Sequence, residues 1–76
     1  MAKRQVDPLR RLGDALRERR TEMAISQYEL ARQAGMHRTF VASVERGERN
    51  VSVLTLRRIT EALETTIEDT FRRAGL

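Results

Sequence analysis

SQYELARQAGMHRTFVASVERGERN, residues 26–50, carries the spacing that decides the fold. Ser26 and Glu29 open it as a capping box, in which the hydroxyl accepts from the Glu29 N–H while Glu29 reaches back. Leu30, Ala31 and Ala34 share the inner face of a helix expected over 27–34. Gly35 ends that helix in the left-handed conformation that glycine adopts without steric cost. A second helix is expected over 38–46, stopped by Gly47. It buries little: Val41 and Val44 sit three apart, while Arg38, Thr39, Ser43 and Arg46 occupy the turns between.

The two helices are joined by only a few residues, which forces a steep crossing rather than a flat hairpin. Small Ala31 faces the turn, where a bulkier side chain would push the second helix away. Gly35 lies in the turn, and Val41 and Val44 lock the second helix against its neighbours. Ala31, Gly35, Val41 and Val44 have the spacing of a helix-turn-helix.

Upstream, Asp7-Pro8 reads as an N-cap followed by proline at the first helical position, where its missing N–H costs nothing. Leu9, Leu12, Leu16 and Met23 recur at helical spacing, so a helix is expected over 8–22. Gly13 inside it weakens propensity by ~1 kcal/mol relative to alanine, and whether it admits a close helix contact is left open. Downstream, a polar loop of Glu48, Arg49, Asn50 and Val51 leads to Ser52, an N-cap candidate. Val53, Leu56, Ile59 and Leu63 line one stripe of a helix expected over 53–63. Thr66 with Asp69 caps a last helix over 67–73 that carries Ile67 and Phe71. Strand alternation is absent. The expected class is all-α: a compact five-helix bundle, with residues 1–6 as a basic N-terminal arm and 7–76 as one domain.

The chain has 76 residues, enough for one small core. It has no cysteine, which excludes disulfides and thiolate metal sites, and one histidine, His37, which cannot build a metal site alone. No apolar run approaches the roughly 20 residues that span a bilayer, so a cytoplasmic location is expected. Fourteen of the fifteen basic residues are arginine, and the net charge is +4. Arginine's planar fork suits phosphates and guanine edges better than lysine does. The charge is unevenly spread: residues 1–20 and 37–58 are net positive, whereas 59–70 carry Glu61, Glu64, Glu68 and Asp69 with no basic residue. One face is thereby suited to a polyanion.

The 26–50 stretch resembles the helix-turn-helix of the lambda-repressor and Cro-like (XRE-type) DNA-binding domains, whose usual form is SQ-x-x-LA, then G, then V-x-x-[VIL]-E-x-G. The likeness extends over about residues 8–71, which implies a bare DNA-binding domain without an effector domain. RTFVASVERGERN followed by a short helix pair is most similar to the small controller proteins of restriction–modification systems. The family commonly has glycine where this chain has Ala24 and Glu64, and proline where it has Val51. Either those two positions hold left-handed backbone at some cost, or the helices end differently.

If the 38–46 helix lies in a major groove, its first residues meet base edges. Arg38 is suited to pair bidentately with guanine O6 and N7. Thr39 has a thymine methyl or a phosphate within its chemistry, and small Ala42 and Ser43 let the helix approach closely. Arg46, Arg49 and Asn50 are expected on flanking phosphates, with a base as the alternative for Arg49. His37 is expected to face the backbone too. Phe40 is either a core plug or a lid over the groove. The resemblance further implies that Gln27 clamps the sugar-phosphate backbone and that Arg20 is the cation for Glu45, a structural pair.

One such domain covers about half a turn of groove, so a homodimer on (pseudo)palindromic operators is expected. Leu54, Phe71 and Leu76 are candidates for its interface; Phe71 has completion of the core as its alternative. The expected function is a sequence-specific transcriptional regulator, repressor or activator, which on the narrower resemblance controls a restriction–modification operon. Double-stranded DNA and a second copy are the expected partners, with RNA polymerase a further candidate; no cofactor, metal or small-molecule ligand is expected. The rival is an antitoxin-like autoregulator that grips a protein toxin through its acidic C-terminal half. An enzyme is not expected: the chain has no nucleophile elbow, no glycine-rich phosphate loop and no evident carboxylate partner for His37.

Overall fold

The computed structural model describes the backbone of residues 7–76 and the side chains of residues 8–76. The expected basic arm over 1–6 and the Asp7 side chain expected to cap the first helix lie outside them. Five helices follow one another: α1 (Asp7–Glu22), α2 (Gln27–Ala34), α3 (Arg38–Glu45), α4 (Val53–Ala62) and α5 (Ile67–Ala74). Helix α1 packs on α3 and α5, α2 on α3 and α4, and α4 on α5. The shared core is Leu12, Leu16, Leu30, Ala31, Val41, Val44, Leu56, Ile59 and Leu63. None of the described helices is long and apolar enough to cross a membrane.

Local chemistry sets the boundaries. Ser26, Ser52 and Thr66 each accept, through the side-chain oxygen, from the N–H three residues on. The reciprocal half of the Ser26 capping box does not form. The Glu29 carboxylate instead accepts from Arg32 Nη2 at 2.6 Å and Gln33 Nε2 at 2.7 Å. A charged guanidinium one turn along outcompetes a single backbone N–H for that carboxylate.

Val53 departs from the expected stripe: it is 70% exposed. The buried stripe of α4 is Leu56, Ile59 and Thr60, continued by Leu63 at its C-cap, and at 3.6 residues per turn it runs back onto Ser52 rather than Val53. Thr60 and Thr70 take core positions because their hydroxyls donate to the carbonyls of Arg57 (3.0 Å) and Thr66 (2.8 Å).

Gly13 does admit a close crossing. A Cβ there would stand 2.5 Å from the carbonyl oxygens of both Val44 and Glu45, so α1 and α3 meet backbone to backbone. Ala24 (φ 59°) and Glu64 (φ 56°) do hold left-handed backbone, which costs a non-glycine residue roughly 1–2 kcal/mol. Arginines of α1 reach both corners. Arg20 Nη1 donates to Ile25 O at 2.9 Å, beside Ala24, and Arg19 Nε donates to Leu63 O at 2.9 Å, beside Glu64.

Candidate nucleic-acid interface

The turn between α2 and α3 is built from the carbonyls outward. Gly35 is left-handed (φ 74°) and its N–H closes the end of α2. Arg58 reaches across from α4 and donates to Ala34 O at 2.9 Å and Gly35 O at 2.8 Å. Nothing near the turn in sequence announces this clamp, since Arg58 lies 24 residues from Ala34.

Behind the turn, one carboxylate joins three helices. Glu45 is 5% exposed and accepts from Arg20 Nε at 2.6 Å and Nη2 at 3.0 Å. It also accepts from Gln27 Nε2 at 2.9 Å. Arg20, the cation expected for Glu45, thus forms a bidentate pair from α1. Gln27, expected on a phosphate, turns one amide N–H inward and keeps its second without a partner among the described residues. Charge burial is tolerable here because both oxygens of Glu45 are bonded to cationic or amide donors.

With Val41, Val44 and Glu45 inside, the opposite face of α3 is free. His37, Arg38, Thr39 and Arg46 are exposed, and Ala42 and Ser43 are half-buried beside them. The Ser43 hydroxyl donates to Phe40 O at 2.7 Å. His37 is the N-cap of α3 but makes no side-chain cap bond, and the first turn holds no acidic residue. The uncapped N–H groups and positive dipole end therefore face the same side as Arg38. Arg46 lies at the other end, 3.0 Å from Glu48 in an exposed pair. The hydrogen bond from Arg46 holds the Glu48 carboxyl below its ordinary range. Arg49 and Asn50 are exposed in the following loop.

Tyr28 belongs to this face and was not among the residues expected there. It is 64% exposed on the first turn of α2 and borders a concavity of about 460 Å³ with Arg32, His37, Arg38 and Thr39. The available signal was a large aromatic set off the Leu30, Ala31, Ala34 face.

Val53, Leu54, Phe71 and Leu76 are large apolar residues exposed by 70%, 70%, 38% and 46%. Val53, Phe71 and Leu76 share an apolar groove of about 310 Å³ with Pro8, Leu9 and Val51. Three carboxylates of the acidic segment are paired by arginines flanking it: Arg57 with Glu61, and Arg72 with Glu68 and Asp69.

A helix pair crossing over a short glycine turn, with the second helix presenting a polar basic face, defines a class. The chain belongs to the helix-turn-helix family, whose profile matches residues 16–69. Within that class it belongs with the control proteins of restriction–modification systems. It is 42% identical over 65 residues to control protein C.SmaI of Serratia marcescens, covering 86% of this chain and 77% of that one. The crystal structure of the restriction–modification controller protein C.AhdI from Aeromonas hydrophila superposes with a TM-score of 0.82 at 39% identity, covering 84% of this chain and 97% of that one. The restriction–modification controller protein C.Esp1396I, crystallised as a tetramer with its natural 35-base-pair operator, superposes with a TM-score of 0.79 at 26% identity, covering 87% of each chain.

Proposed function

We propose that this protein is a sequence-specific transcriptional regulator that binds (pseudo)palindromic operator DNA as a homodimer and controls a restriction–modification operon. The observation that carries the reading is α3: its inner face is spent on the core and on Glu45, and its outer face is offered whole. In this reading α3 enters the major groove, with Arg38 and Thr39 on base edges and Ala42 and Ser43 allowing close approach. Gln27 (through its second amide N–H), His37, Arg46, Arg49 and Asn50 hold phosphates on either side. The kinship with an operator-bound controller supports the same ligand here. Residues 7–76 form the DNA-binding domain, 1–6 a basic arm, and the Leu54, Phe71 and Leu76 patch, enlarged by Val53, the dimer contact. A cytoplasmic location goes with this role. The acidic half on which the toxin-binding alternative rests has three of its carboxylates, Glu61, Glu68 and Asp69, paired by Arg57 and Arg72.

Selection of duplexes from a random pool tests the reading. The expected product is a two-fold related pair of half-sites bound by two protomers, or by a multiple of two, in sedimentation. Recovery of no common sequence counts against a sequence-specific regulator.

A further inference from the structure

The guanidinium of Arg49 lies 5.2 Å from the centroid of the Phe40 ring, over its face. Phe40 is half-buried and packs against the core cluster from its place on α3. It is therefore a plug on its inner side and a platform on its outer one. The two ends of this contact differ in rigidity. Phe40 is fixed by a packed helix, whereas Arg49 belongs to the loop between Arg46 and Ser52. The loop's other arginine-rich neighbour is already engaged: Arg46 pairs with Glu48. Arg49 has no carboxylate partner among the described residues, so the ring is the group that gives its side chain a place.

We propose that Phe40 is a positioning residue for Arg49, holding the guanidinium at the rim of the recognition helix so that it meets a DNA phosphate already ordered. The inference rests on the DNA-binding reading of α3 and adds a residue to it that touches no DNA. A free arginine gives up side-chain freedom when it docks on a phosphate. An arginine parked on an aromatic face has given up part of it beforehand, and the ring quadrupole favours the cation at that spot. The guanidinium edge remains open, since stacking uses its face and phosphate pairing uses its N–H groups.

The experiment is a double-mutant cycle on binding to the duplex recovered from the random pool and to an unrelated duplex of the same length. Phe40→Leu keeps apolar bulk and removes the ring; it should weaken binding to both duplexes by about two- to fivefold. In the Arg49→Ala background the same change should have no further effect. Phe40→Trp, which restores an aromatic face, should recover parental binding. In the free protein, NMR should show Arg49 side-chain protons shifted by the ring current in the parent and returned to ordinary values in Phe40→Leu. A merely structural Phe40 would lower thermal stability and weaken binding equally with and without Arg49; that outcome, or unshifted Arg49 protons in the parent, overturns the inference. A parent protein that binds neither duplex overturns the DNA-binding reading itself, and the inference with it.

Discussion

The Glu45 carboxylate shows how much one buried residue can decide. It holds α1 through Arg20 and the start of α2 through Gln27, so α3 cannot shift without breaking a charged network. Removing Arg20 or Glu45 alone should destabilise the protein by about 3–5 kcal/mol, because the partner is left charged and unpaired. The double variant Arg20→Met with Glu45→Leu should cost clearly less than the sum, as measured by urea unfolding. Small additive effects would mean that the pair is not coupled. A second residue-scale prediction concerns acid. The Glu29 pKa is lowered to about 2, first by the Arg32 hydrogen bond and then by Gln33. A depressed folded-state pKa contributes stability that is present above the ordinary value of 4.5 and lost as pH falls toward 2. Glu29→Gln should therefore flatten part of the stability decline across that window. Arg32 and Gln33 are exposed and Glu29 is only half-buried, which keeps the effect small, and an unchanged acid profile would show that the Arg32 contact does not persist in solution.

At the scale of elements, the turns and crossings are where sequence and structure can be compared most directly. Gly13→Ala should lose roughly 1–3 kcal/mol, since the new methyl meets the α3 backbone and not a movable side chain; calorimetry showing no loss would contradict a close crossing. Glu64→Gly should do the opposite. It relieves the left-handed strain at φ 56°, roughly 1–2 kcal/mol, against a glycine entropy cost of roughly 0.5–1 kcal/mol. A lower thermal midpoint would show that the Glu64 side chain contributes something its exposed position does not reveal. The five helices were legible because their caps and inner stripes are local features, readable at spacings of three and four residues. So was the outer face of α3, which lies opposite the buried pair Val41 and Val44. What was not legible acts across the chain. Arg58 on the carbonyls of Ala34 and Gly35, Arg19 on Leu63, and the ring of Phe40 under Arg49 each join residues that no periodicity connects. Val53 failed for a different reason: at the first turn of a helix, a periodic stripe has no neighbour beyond it to confirm which residue faces in.

For the molecule as a whole, the arginine content divides into two duties that composition merges. Arg19, Arg20 and Arg58 hold backbone carbonyls at helix ends, and Arg57, Arg72 and Arg73 neutralise carboxylates. Among the described residues Arg10, Arg38 and Arg49 have no carbonyl or carboxylate partner, and two of the three lie on α3 and in the loop after it, which gives direction to a net charge of only +4. Binding to duplex DNA should still fall at least about tenfold between roughly 50 and 200 mM salt, because each phosphate contact releases counterions. Placing a charge in the apolar patch, as in Leu54→Glu, should shift sedimentation toward the monomer and weaken operator binding without unfolding, since Leu54 is 70% exposed. The central claim is that the outer face of α3 reads bases at its start and grips phosphates at its end. Affinities of the parent, Arg38→Ala and Arg46→Ala for the selected operator and for its single-base-pair variants test this most directly, because both substitutions remove one positive charge. Arg38→Ala should lose ~1–3 kcal/mol on the operator and become indifferent at one base pair in each half-site. Arg46→Ala should weaken every duplex alike and lower the salt slope by about one. Equal losses with unchanged base preference in both variants would contradict the account and make Arg38 another phosphate contact.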